Sequence, residues 1–177
     1  DWSSDVCSSD LISNTIGAAS SGINIVAGNT GSVTNNGSIS VTQSAANVIS
    51  QYGILLNGTG KFNGNIVTGS ASTMSVSGLQ ASGIGLQAEL NGNLTLGGTM
   101  DVAGSLANGV SARNVIDGVV TNSGTISVTG GGTSTLVINP FGGSAIALGA
   151  DVGGGILNAG PLNSGGTTPR ATLSSKG

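Results

Sequence analysis

An internal repeat constrains this chain more than any other feature. Segments opening on a small residue and then a branched one recur as GINIVAGNTGSVTNNGSISV from Gly22, GILLNGTGKFNGNIVTG from Gly53, GIGLQAELNGNLTLGGTMDV from Gly83, GVSARNVIDGVVTNSGTISV from Gly109 and AIALGADVGGGILNAGPL from Ala145. The starts lie 31, 30, 26 and 36 residues apart. The second position is Ile23, Ile54, Ile84, Val110 and Ile146, and the fourth is Ile25, Leu56, Leu86, Ala112 and Leu148. Nine residues after the start stands Gly31, Gly92, Gly118 or Gly154. Beyond it fall the apolar pairs Val33/Ile39, Leu94/Met100, Val120/Ile126 and Ile156/Leu162, with Val41, Val102 and Val128 two residues further on in three units. The second unit reads as the exception, with Gly60-Lys61-Phe62 two residues early and a shortened span from Phe62 to Ile66.

Apolar residues at i and i+2, cut by Gly and Asn, are strand signals with a period of two. No helical period persists, so no α-helix is expected. One unit cannot bury its own apolar face, whereas stacked copies bury it against their neighbours. The expected fold is all-β: a right-handed parallel β-helix, a solenoid of about five coils of roughly 30 residues with three short strands each. Strands about 4.8 Å apart make that a stack of roughly 25 Å. The alternative is a sandwich of antiparallel hairpins turning at Asn36-Gly37, Asn63-Gly64, Asn91-Gly92 and Asn108-Gly109. A sandwich gives no reason for one pattern to recur at this period.

The opening DWSSDVCSSDL differs from the rest. It holds Trp2, Cys7 and three of the seven acidic residues. It lacks the basic and apolar regions of a signal peptide. Back-translated, it resembles a widely used sequencing-library adapter codon by codon, so residues 1–11 are expected to be a translated artefact and the native N-terminus to lie elsewhere. The expected organisation is then 12–21 as part of a preceding coil, 22–162 as β-helix repeats, and 163–177 as a polar tail or the start of the next coil. From residue 12 on, four acidic residues balance four basic ones. A neutral chain without clustered Lys or Arg offers nothing to nucleic acid or to an anionic membrane surface.

Reactive groups are few. There is no His, and Cys7 is the only Cys, so neither a metal site nor an internal disulfide is expected. No catalytic residue and no cofactor is expected. Glu89, Asp101, Asp117 and Asp151 are the carboxylates beyond the opening stretch. Glycoside hydrolysis needs a facing pair at a defined separation. Asp117 and Asp151 could approach across adjacent coils, but a surface salt bridge of Asp117 with Arg113 is the expected role. The triple-glycine runs at 130–132 and 153–155 lack the Lys-Ser/Thr of a phosphate loop. The pattern places Asn35, Asn122 and Asn158 at one repeat position, with Leu96 there in the third unit. They are expected to form a structural column at a coil corner. Thr34, Thr95 and Thr121 share another position, as do Ser38, Thr99 and Thr125. These are expected to form outward hydroxyl columns, either a solvated face or a regular array able to meet ice or a glycan. The three N-glycosylation triplets, at Asn36, Asn57 and Asn93, are expected by chance in such a composition.

GVVTNSGTISVTG (Gly118–Gly130) and AIALGADVGGGILNAG (Ala145–Gly160) resemble the passenger region of bacterial autotransporters over roughly residues 22–162. That resemblance implies a secreted or surface-exposed Gram-negative protein, a non-catalytic rigid stalk or adhesin. Its partner would be a host or environmental glycan or cell surface, and a membrane β-barrel would follow downstream in the full-length protein. The G-D-S-G of protease passengers is absent. The alternatives are a β-helical polysaccharide-binding or polysaccharide-degrading protein and a two-partner secreted haemagglutinin-like adhesin.

Overall fold

The computed structural model describes residues 11–15, 20–43, 50–129, 143–160, 162–165 and 173–175. Residues 1–10, with Trp2 and Cys7, lie outside them, as do Gly130-Gly131-Gly132. Of the opening stretch, only Leu11 is described, at the start of a strand.

Strand β1 (Leu11–Thr15) precedes the first repeat, which contributes β2 (Ser20–Val26), β3 (Val33–Asn35) and β4 (Ser38–Thr42). The second supplies β5 (Ser50–Asn57), β6 (Lys61–Asn63), β7 (Ile66–Thr68) and β8 (Thr73–Ser77). The third supplies β9 (Gln80–Leu86), β10 (Glu89–Asn91), β11 (Leu94–Leu96) and β12 (Thr99–Ala103). The fourth gives β13 (Asn108–Ala112), β14 (Val120–Asn122) and β15 (Thr125–Thr129). The fifth gives β16 (Ser144–Leu148), β17 (Ile156–Asn158) and β18 (Leu162–Gly165), and β19 (Leu173–Ser175) follows.

Corresponding strands stack in parallel, forming a β-solenoid. Sheet I runs β2-β5-β9-β13-β16-β19, sheet III runs β3-β7-β11-β14-β17, and sheet IV runs β1-β4-β8-β12-β15-β18. A narrow sheet II pairs β6 with β10 and continues through single bridges Leu90–Ile116 and Ile116–Val152. The described residues contain no helix.

Three of the sequence expectations are corrected. The solenoid closes about three complete turns, not five: residues 50–129 run without interruption through β5–β8, β9–β12 and β13–β15. The repeats from Gly22 and Ala145 add strands at the two ends, but parts of their connections fall outside the described residues. Each turn also has a fourth side, since Phe62, Leu90 and Ile116 form an inward column of their own. And the second unit is not compressed: it keeps the repeat's positions, with residues inserted in its turns. Ile66, Met74 and Val76 occupy the positions of Val33, Ile39 and Val41. Phe62 belongs to sheet II, and two extra residues lie in the turn between Thr68 and Thr73. The period-two pattern locates strands but not which side of a coil each one takes.

The core follows from register. Ile54, Ile84, Val110 and Ile146 stack in sheet I, and Ile66, Leu94 and Val120 in sheet III, all with no exposed surface. Ile39, Met74, Met100 and Ile126 stack in sheet IV. This explains the small residue that opens each repeat. A Cβ on Gly53 or Gly83 would overlap the Sδ of Met74 or Met100, and one on Gly109 the Cγ2 of Ile126. Sheet IV side chains fill the room that sheet I gives up.

Candidate functional site

The three expected asparagines share a register position at the end of sheet III, where the column reads Asn35, Thr68, Leu96, Asn122, Asn158. Only the last two touch: Asn122 Nδ2 donates to Asn158 Oδ1 at 2.7 Å. Asn35 caps its own turn, accepting from the Gly37 N–H and donating to the Gly37 carbonyl, both at 3.3 Å. Thr68 Oγ1 binds the Gly97 backbone at 3.0 Å. Leu96 brings no donor to the column, and the buried Asn122 Oδ1 has no partner.

The longer amide ladder runs along sheet II and the corner after it, on residues the repeat pattern did not single out. Asn91 Nδ2 donates to Asn63 Oδ1 at 2.8 Å. Asn93 donates to Asn65 Oδ1 through its backbone N–H at 2.9 Å and its side-chain amide at 3.1 Å. Asn93 Oδ1 in turn accepts from the Val119 N–H at 2.9 Å. The shared triplet Asn-Gly-Asn at 63–65 and 91–93 was the available signal. Each Gly in it sits in a column, Gly31, Gly64, Gly92, Gly118, where backbones stack too closely for a side chain. Asn65→Ala removes an acceptor from two donors. It is expected to cost about 1 kcal/mol, the usual net value of such hydrogen bonds, read as a lower midpoint in urea unfolding with an unchanged slope.

Lys61, Glu89 and Asp117 come together across three coils of sheet II. Lys61 Nζ is ion-paired with Glu89 and lies 3.5 Å from Asp117 Oδ2. The expected pair of Arg113 with Asp117 does not form, because the stacked column brings Lys61, distant in sequence, to the carboxylate instead. Glu89, first by its hydrogen bond, and Asp117, by its charge, raise the Lys61 pKa above its ordinary value of 10.5. A group whose folded pKa is raised stabilises fully below its unfolded value and loses that contribution as pH climbs through the folded one. Thermal melts are therefore expected to fall above about pH 10.5, and less so in Lys61→Met. Near neutral pH, Lys61→Met should change little, because solvent screens an exposed pair.

The hydroxyl columns differ between sheets. In sheet III, Thr34, Thr95 and Thr121 share the column with Val67 and Leu157, and Leu157 is 58% exposed. In sheet IV, Ser38, Thr99 and Thr125 form a continuous row with Thr73, whose Oγ1 lies 2.7 Å from Ser38 Oγ. Thr73 falls outside the repeat's regular count because extra residues precede it in the second unit. Asp101 faces outward in the next row, between Ser75 and Ser127.

Among the described residues, no group of three His, Cys, Asp or Glu is placed to hold a metal ion. These features define a parallel β-solenoid with two polar surfaces, the amide and ion-pair strip of sheet II and the hydroxyl face of sheet IV. No family model, curated protein or solved structure matches the chain.

Proposed function

We propose that this chain is a segment of the passenger of a secreted or surface-exposed bacterial autotransporter, acting as a rigid stalk or adhesin. The observation that supports this reading best is the unbroken parallel stacking of residues 50–129, with every strand in register with its neighbour in the next coil. Such a rod is stiff along its axis because each coil is fixed by both neighbours. A stalk needs that stiffness, and it needs no reactive group.

The test is to read the source locus across both ends of this frame and to shave intact cells with protease. A frame continuing into a membrane barrel of alternating amphipathic strands, with the rod cleaved from outside, is the expected result. A frame encoding no barrel, with the rod protected in intact cells, would overturn the proposal. A separate partner transporter beside the gene would favour the two-partner haemagglutinin-like adhesin.

A second reading, a polysaccharide-degrading β-helix, draws support from Lys61, Glu89 and Asp117 on one face. It ranks lower because both carboxylates hold Lys61 protonated, whereas a lysine acting as general base needs a lowered pKa. Cleavage of pectin or alginate that vanishes in Asp117→Ala would promote it. An inactive wild type across a broad glycan panel would remove it.

A further inference from the structure

We propose that the outward face of sheet IV is a contact surface for a neutral, hydroxyl-rich polysaccharide, with Asp101 at its centre. The inference gives the proposed rod a partner, and its test is separate from that of the rod.

The face is a grid. Strands β4, β8, β12 and β15 lie side by side in register. Outward side chains therefore fall about 4.8 Å apart across the strands and about 6.7 Å apart along them. Each strand presents three outward positions, and Ser or Thr fills all of them except Asp101 and Ala103 on β12. The intervening side chains, such as Met100 and Val102, are buried in the core, so the outward rows are fixed from beneath.

Charge narrows the partner. The charged side chains among the described residues are Lys61, Glu89, Asp101, Arg113, Asp117 and Asp151. All but Asp101 stand on sheet II or in the turns beside it. Sheet IV thus offers nothing to a polyanion and a single carboxylate to a polycation. It offers little to an apolar partner, because the large apolar residues found exposed among the described residues, Val26 and Leu157, belong to sheets I and III. What remains is a neutral partner rich in hydrogen-bonding groups.

Asp101 gives that partner an anchor. It is exposed, and among the described residues it forms no ion pair. An ionised carboxylate only accepts, and its two oxygens can take several donors at once, with bonds stronger than neutral ones. Adjacent hydroxyls on a sugar ring supply such donors. The flanking Ser75 and Ser127 both donate and accept, so they can serve the same ring. Threonine side chains are stiff at χ1, which lowers the ordering cost of binding. An ice lattice suits this face less well, because Asp101 and Ala103 interrupt the grid.

The experiment is cosedimentation of the full chain with insoluble cellulose, chitin, starch and mannan. The expected result is retention on at least one of these polymers that persists in about 1 M salt, where charge is screened within about 3 Å. Asp101→Ala and Thr99→Lys should each weaken it by about tenfold, or about 1.4 kcal/mol. Thr34→Lys and Thr121→Lys, on sheet III, should leave it unchanged. Circular dichroism checks the fold of each variant, and if Thr99→Lys does not fold, Ser75→Lys reads the same face. No retention on any of the four polymers overturns the proposal, as does retention that the sheet IV variants do not weaken. Retention lost in salt, or ice-growth inhibition without retention, also overturns it. None of these outcomes bears on whether the rod stands on a cell surface.

Discussion

Gly64→Ala is expected to be among the most damaging single substitutions in this chain. The new Cβ would overlap the carbonyl oxygen of Gly31 in the coil beneath. That oxygen belongs to a backbone hydrogen-bonded to the second repeat, with the Gly31 N–H donating to the Asn63 carbonyl at 3.0 Å. It cannot swing aside as a side-chain tip can. Relief requires the two coils to separate, which strains the other bonds between them, such as that from the Val33 N–H to the Asn65 carbonyl at 2.9 Å. Overpacking of this kind costs typically 1–3 kcal/mol, and a rigid obstacle places the cost near about 3. In a domain of this size that lowers Tm by about 6–12 °C. Gly149→Ala is the control. Its nearest contact would be the Ala112 carbonyl oxygen at 3.3 Å, and the position is exposed. Its melt should shift far less. Equal shifts for the two variants would show that the glycine column does not set the spacing between coils.

Ile84→Ala is expected to cost about 3 kcal/mol, within the 2–5 kcal/mol measured for such truncations in cores. Ile84 is fully buried, with Ile54 below it and Val110 above. Both neighbours are held by their own ladders, so the cavity cannot collapse easily. Leu157→Ala removes a side chain of similar size from an exposed site and should change stability by no more than about 0.5 kcal/mol. Urea unfolding of the two variants reads the contrast directly. An Ile84→Ala protein as stable as the wild type would mean that the stacked columns do not carry the fold.

Much of this architecture was legible in the linear sequence, for a definable reason. In a solenoid the same contacts recur every coil, so the requirement for Ile or Val at Ile54, Ile84, Val110 and Ile146 is written several times. Gly92 and Gly118 are likewise visible as repeats of one need, a backbone approach too close for a side chain. What misled was the second unit. Phe62 and Ile66 look like a compressed copy of Val120 and Ile126 because both pairs are apolar residues separated by Gly and Asn. Alternation says that a residue faces inward, but the inward direction exists on four sides, and only pairing assigns Phe62 to one and Ile66 to another.

The polar surfaces divide the same way. The rows of Ser38, Thr99 and Thr125 could be placed by counting. Thr73, which makes the row continuous, could not, because the extra residues before it shift the count. The approach of Lys61 to Asp117 was hidden for a further reason. Their separation of 56 positions sums two coils of different length and a two-residue step along the strand, and no local rule fixes such a sum. By itself the sequence determined that this chain stacks as parallel coils, because burial of Val, Ile and Leu between Gly-rich turns leaves few other ways to hide them. The tertiary structure alone decided which side of the coil each strand occupies, and therefore which polar side chains meet. That outcome depends on register summed over turns of unequal length.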